Sequence, residues 1–311
     1  MPFSSRRRAG FSLLELSVVL AILGLLTAGG LSIGGIMVAQ QANTSTNENP
    51  DEIQQALIDF VKTQCRLPCV APLTVDPANT TAPIFGTELE AGGCLATTTA
   101  SGGSLRAVDG TRIVRIGGVP TRTLGLKDRM AADEFGNRFL YVVTENLTTT
   151  GGFSAVANLG AIGVRDGSGG AGFILDPIVS PTNPNGGAAF MLISHGPDGK
   201  GAVRHKTNNV TNACGTGTNL DVENCNLSST DINFRDARFN DGSQIASFFD
   251  DFTRFMPKYH LVGSSGSSLW GNTGDDIFSI GNDGNTTTGN VGIGVSVPGA
   301  MLDIGNGSVQ C

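Results

Sequence analysis

The feature that most limits what this chain can become is an unbroken run of 29 residues, Phe11 to Ala39, reading FSLLELSVVLAILGLLTAGGLSIGGIMVA. It holds one ionisable side chain, Glu15. As an α-helix it would extend about 43 Å at ~1.5 Å per residue, more than the roughly 30 Å of a bilayer's hydrocarbon core. Arg6, Arg7 and Arg8 stand just before it. A positive flank predicts that this end stays in the cytoplasm while the body is exported. A secretory signal has a shorter apolar region followed by a small-residue cleavage site; here the run is longer and no A-x-A motif closes it. A plain anchor accounts for the length but leaves Glu15 unexplained, because a carboxylate inside a spanning helix is expensive and usually functional.

Arg6-Arg7-Arg8-Ala9-Gly10 followed by Phe11-Ser12-Leu13-Leu14-Glu15 resembles the class III leader of type IV prepilins and pseudopilins. The resemblance implies that a membrane-embedded prepilin peptidase cuts after Gly10, and that the same enzyme methylates the new N-terminal residue, Phe11. It places the family's fifth mature residue, a glutamate, on Glu15. A cut before the apolar helix, rather than after it, leaves that helix on the mature protein. A buried carboxylate needs a partner, and the resemblance implies one, the N-terminal amine of the neighbouring subunit. Glu15 would then fix the stagger between subunits. Gly24, Gly29, Gly30, Gly34 and Gly35 punctuate the same run. Two readings of them stand: Gly30-x-x-x-Gly34 permits close helix approach in lipid, or the glycines weaken the helix by ~1 kcal/mol each and allow a bend.

Past this run the composition changes. Residues 40–49, QQANTSTNEN, are polar and carry no apolar stripe, which reads as a linker. Asn49-Pro50-Asp51-Glu52 is a helix start, with Asn49 as cap, Pro50 in the first turn and acids near the positive end of the dipole. Ile53, Leu57, Phe60 and Val61 recur at helical spacing and predict a face that docks on a sheet. The helix should stop near Cys65, ahead of Leu67-Pro68.

From Pro72 to about Leu261 short β-prone runs alternate with Gly, Pro, Asn and Asp. The expected strands are Arg112–Ile116, Arg138–Thr144, Gly172–Leu175, Ala189–Ser194 and the weaker Gly201–Arg204. Several strings are similar to larger prepilin-type secretion proteins: Arg66-Leu67-Pro68-Cys69, Gly118-Val119-Pro120 with Thr123-Leu124-Gly125-Leu126, Asp133-Glu134-Phe135-Gly136-Asn137, and Ser194-His195-Gly196-Pro197-Asp198-Gly199-Lys200-Gly201. Physically these are strand ends and turns. Only three histidines exist, His195, His205 and His260, none at metal-ligand spacing to another, so His195 reads as a hydrogen-bonded turn residue. No GxSxG elbow, phosphate loop or zinc-helix motif appears.

The six cysteines are Cys65, Cys69, Cys94, Cys214, Cys225 and Cys311. An exported chain meets an oxidising compartment where disulfides persist. The expected pairs are Cys69–Cys94 and Cys214–Cys225, each closing a modest loop within one segment; Cys65 and Cys311 remain as a pair or as free thiols. Cys65, Cys69 and Cys94 have a spacing that zinc accepts, but no second ligand pair accompanies them.

From Gly263 the chain is rich in Gly, Ser, Asn and Asp. Asp275, Asp276, Asn282 and Asp283 hold no calcium-repeat register. Gly289-Asn290-Val291-Gly292-Ile293-Gly294, then Pro298 and Leu302-Asp303-Ile304, is similar to a β-segment of phage tail fibres and bacterial surface proteins. One copy buries little core alone; a hairpin capping the head is the plain alternative.

These readings combine into an α+β, pilin-like chain. It has a leader (1–10), a hydrophobic transmembrane or filament-core helix (11–39), a linker (40–49), an antiparallel β-rich head (50–262) and a short β tail (263–311). The net charge of −7 gives no field for nucleic acid. No nucleophile–base pair or carboxylate pair suggests an enzyme, and no cofactor or metal is expected. The expected function is a structural subunit, minor and adhesive, of a type IV pilus-like or type II secretion filament. The alternative is a membrane-anchored surface adhesin that binds a carbohydrate or host surface without assembling. Implied partners are prepilin peptidase, other pilin or pseudopilin subunits, the inner membrane before assembly and a surface receptor. The expected location is the inner membrane with a periplasmic body, then a surface filament or periplasmic pseudopilus.

Overall fold

The computed structural model describes residues 16–20, 22, 49–94, 102–153, 155, 157–180, 183, 186–210, 212–215, 219–240 and 248–261. The chain divides into two compact units, Met1–Ser45 and Thr46–Cys311. Of the first, the described residues 16–20 and 22 are helical; residues 40–48 of the expected linker, the tail and most of the apolar run lie outside the described residues, while Asn49, expected to end the linker, is already helical.

The second unit opens with helix α1, residues 49–64. Ile53, Leu57 and Val61 repeat every four residues and are fully buried, each burial being worth about 1.5–3 kcal/mol. Phe60, expected on the same face, is only half-buried and lies under the Arg66 guanidinium, 5.1 Å from its ring centre. The helix stops at Cys65, whose φ of 54° turns the chain out while its N–H still bonds the Val61 carbonyl at 2.8 Å.

Eight strands follow: β1 (Leu105–Asp109), β2 (Arg112–Gly118), β3 (Leu140–Thr144), β4 (Gly163–Arg165), β5 (Phe173–Leu175), β6 (Ala188–Ser194), β7 (Asn233–Arg235) and β8 (Phe252–Pro257). The main sheet has the order β1-β2-β3-β6-β8 and is antiparallel throughout. β1 and β2 form a hairpin in which Asp109 faces Arg112, so its loop is Gly110-Thr111, and Gly110 has the φ of 61° such a loop needs. A smaller sheet, β5-β4-β7, departs from the antiparallel expectation, because β4 and β7 run parallel, Gly163 beside Asn233. Two short helices, α2 (Val222–Cys225) and α3 (Lys258–Leu261), complete the head.

Strands β3 and β6 are buried at every position, and alternation sends their side chains to two different cores. Tyr141, Val143, Phe190 and Leu192 meet Ile53, Leu57 and Val61 of α1. Leu140, Val142, Met191 and Ile193 meet Ile162, Val164 and Phe234 of the smaller sheet. The layers are therefore helix, five-stranded sheet and three-stranded sheet.

The expected strands at 112–116, 138–144, 172–175 and 189–194 all coincide with strands, with bounds shifted by one or two residues. The expected strand Gly201–Arg204 does not form. Val203 and Arg204 make only isolated bridges, to Val210 and Asn137, because Gly199 and Gly201 hold φ of 60° and 73° and keep the chain turning.

The two sheets join where Gly160 and Gly187 cross. The Gly187 N–H bonds the Gly160 carbonyl and the Ala188 N–H bonds that of Ile162, both at 2.8 Å. A Cβ on Gly187 would lie 2.1 Å from the Ile162 oxygen. Gly187→Ala is expected to destabilise the head by about 1–3 kcal/mol, read as a lower midpoint in urea unfolding of the detergent-solubilised chain.

Candidate functional site

The assembly residues expected from the sequence, Arg6, Arg7, Arg8, Gly10, Phe11 and Glu15, lie outside the described residues. Just beyond them, Leu16, Val18, Val19, Leu20 and Ile22 are helical and each 50–60% exposed. These exposed apolar side chains run round the helix rather than along one stripe. Among the described residues no helix is long and apolar enough to cross a membrane.

In the head, the string Ser194–Gly201 leaves the end of β6 and folds into a buried polar centre. The Ser194 hydroxyl donates to Asp133 Oδ2 at 2.6 Å, and the Asn137 N–H donates to the other oxygen of Asp133 at 2.8 Å. Asn137 Nδ2 in turn donates to the Gly196 carbonyl at 2.9 Å. Two strings that look like separate turns in sequence, Asp133–Asn137 and Ser194–Gly201, are thus one cross-linked structure. Burial raises the pKa of Asp133 to about 6 against these bonds.

His195 is 3% exposed, and burial lowers its pKa to about 4. Its Nδ1 has no hydrogen-bond partner among the described residues and stands 3.9 Å from Asp251 Oδ1. His195 is the turn residue the sequence suggests, and the hydrogen bond is made by its backbone, the Gly199 N–H bonding the His195 carbonyl at 3.1 Å, while the ring fills the interior. Since Ser194 donates to Asp133, serine and histidine do not form a nucleophile–base pair.

Beyond the turn lies an acidic group that sequence reading missed. Asp198, Asp221 and Asp250 gather with Lys200, whose Nζ is 2.6 Å from Asp198 Oδ2 and 2.9 Å from Asp221 Oδ2. Burial works to lower the pKa of Lys200, and these two carboxylates outweigh it and raise it. Burial lifts Asp250 to about 6, and drives fully buried Asp251, which accepts from Asn224 Nδ2 at 2.8 Å, well above the usual carboxylate range. No local sequence signal marks this acidic group, because its three aspartates come from distant segments. A second ionic clasp also went unread: Glu145, after β3, accepts from Arg106 Nε at 2.8 Å and Arg115 Nε at 2.6 Å, tying β3 to β1 and β2.

The described cysteines are all in disulfides. Cys69 is bonded to Cys94 and Cys214 to Cys225, with Cα separations of 5.1 and 5.4 Å. Cys65 is also disulfide-bonded, and Cys311 lies outside the described residues. All described cysteines being oxidised, none offers the thiolate that zinc requires.

Residues 5–31 match the family model described as the prokaryotic N-terminal methylation motif. That motif defines the chain as a precursor of the pilin-like kind. The match covers 27 of the 311 residues and supports a type IV prepilin or pseudopilin, a family whose members are in general structural rather than enzymatic. Neither the curated proteins nor the solved structures give a match.

Asp133 makes the head's stability depend on pH. Between its ordinary 3.8 and about 6 the folded chain holds a proton there that the unfolded chain has lost. The stability this proton confers is present at low pH and is lost as pH rises through about 6. In Asp133→Asn this contribution is gone, so thermal unfolding across that window is expected to fall less steeply with pH than in the parent.

Proposed function

We propose that the chain is a structural subunit of a type IV pilus-like or type II secretion filament, entering as a minor component. The observation that carries this reading is the methylation motif at residues 5–31 with Glu15 as the one ionisable group of the apolar run. Prepilin peptidase removes residues 1–10 after Gly10 and methylates Phe11. The precursor sits in the inner membrane by residues 11–39 with its body in the periplasm, and leaves the membrane as it joins the filament. There the amine of one subunit neutralises Glu15 of the next, since an uncompensated charge in that setting is strongly unfavourable.

The head supports a part that is carried rather than a part that reacts. It is a sheet covered on both faces, with Glu145 and Asp133 tied into clasps and its described cysteines oxidised. The minor role follows from size: a large head is harder to repeat along a filament than a small one. The tail from residue 263, with its likeness to fibre segments, is the adhesive element of this proposal, and a surface receptor its partner.

Glu15→Ala tests the assembly step. The variant is expected to be cleaved normally, seen as the usual mobility shift, and to drop at least tenfold in sheared surface material. Unchanged surface display would sink the filament reading and favour an adhesin that uses its helix only as an anchor. An antibody against residues 263–311 then separates the locations: labelling at filament ends fits a minor pilin, whereas signal confined to the inner-membrane fraction fits a secretion pseudopilin.

A further inference from the structure

Asp198, Asp221 and Asp250 come from three separate stretches: the turn after β6, the start of α2 and the residue pair before β8. One oxygen of each lies within 4.8 Å of the other two. Asp221 and Asp250 are each 2% exposed, yet the Oδ1 of both has no hydrogen-bond partner among the described residues. Their other oxygens are occupied: Asp221 Oδ2 by Lys200 Nζ at 2.9 Å, and Asp250 Oδ2 by the Asp198 N–H at 3.0 Å. A buried carboxylate oxygen with nothing to accept is a costly state, and two of them on the buried members of one acidic cluster call for a cation.

Lys200 does not meet that demand. It brings a single ammonium to Asp198 and Asp221, while Asp250 makes no ion pair among the described residues and Asp251 adds a further carboxyl beside it. Neutral His195 adds none. We propose that Asp198, Asp221 and Asp250 form a binding site for a calcium ion, which ties the turn after β6, the disulfide-closed segment 214–225 and the start of β8 into one unit. The donor set is all oxygen, which selects a hard cation over zinc or copper. Calcium accepts an irregular shell of six to eight oxygens completed by water, whereas magnesium demands a compact octahedron. Entry is from Asp198, the one partly exposed member. The Lys200 side chain, 29% exposed, swings outward when the ion arrives. This site does not depend on whether the chain assembles into a filament.

The test uses the full chain in detergent after chelator treatment, with equilibrium dialysis against radioactive calcium and thermal unfolding with calcium or magnesium up to about 5 mM, several-fold above the roughly 1 mM weak end of calcium-module affinities. The parent is expected to bind one calcium per chain saturably and to gain roughly 5 °C in unfolding midpoint, with less gain in magnesium. Asp221→Asn and Asp250→Asn should each weaken calcium binding at least tenfold and lose the calcium-dependent gain. Lys200→Met, which removes the competing ammonium, should tighten it several-fold. If either aspartate variant fails to fold, the other and the lysine variant still decide. Absence of saturable binding in the parent overturns the site, leaving Lys200 as the cluster's only cation. Binding that is unchanged in the aspartate variants overturns it too, placing the ion elsewhere, such as among the aspartates of residues 263–311.

Discussion

Everything in the head depends on two strands that have no outside. β3 and β6 lie beside each other in the middle of the main sheet and send alternate side chains into opposite cores. A shift of one residue between them would exchange the two sets, putting Tyr141 and Phe190 toward the small sheet and Val142 and Met191 toward the helix. The register Val142 to Met191 and Val143 to Phe190 is thus enforced from both sides at once. Helix α1 and the β5-β4-β7 sheet are coverings for surfaces that these strands create.

Such an arrangement leaves little room for polar groups inside, and those present are gathered where strands end. Glu145 sits one residue past β3, held by arginines of β1 and β2. Asp133, Ser194 and Asn137 close the other end of β3 and β6. Burial works to raise the pKa of Glu145, and the bonds from Arg106 and Arg115 outweigh it and hold the pKa down; at Asp133 burial outweighs the bond from Ser194 and the weak pull of Arg204, and the pKa rises instead. Two carboxyls at opposite ends of the same strands therefore have opposite tendencies, and the difference lies in which partner each one is given.

How much of this was legible in the sequence varies with the range of the interaction. The helix 49–64 could be read because its signal is local: a Pro and two acids, then Ile53, Leu57 and Val61 at helical spacing. Strands β2, β3 and β6 could be read because fully buried strands are long apolar runs. The strands β4, β7 and β8 could not. β4 and β7 are three residues each and are held by pairing with each other although distant in sequence, and β8, FTRFMP, mixes Arg and Pro into a strand that stands last in the order of the described sheet. The buried cluster of Asp198, Asp221 and Asp250 was illegible for the same reason: its members are neighbours only after three distant segments have been brought together. The N-terminal motif was the opposite case, since its meaning rests on consecutive residues and a matching family model.

The pairing order also gives the head a direction in time. Helix α1, β1, β2 and β3 follow one another along the chain and β6 joins β3 across the β4–β5 segment, so most of the core beneath the helix can close once residue 194 has been made, Leu261 being added later. The opposite core cannot. Ile162 and Val164 wait for Phe234, and β6 waits for β8 to cover its free edge. Distant pairings form late because loop closure must precede contact. A chain delivered N-terminus first therefore passes through a stage with one finished face and one bare apolar face. The last stretch of the head, residues 233–257, decides whether that intermediate is sealed or is left to associate with whatever apolar surface is near.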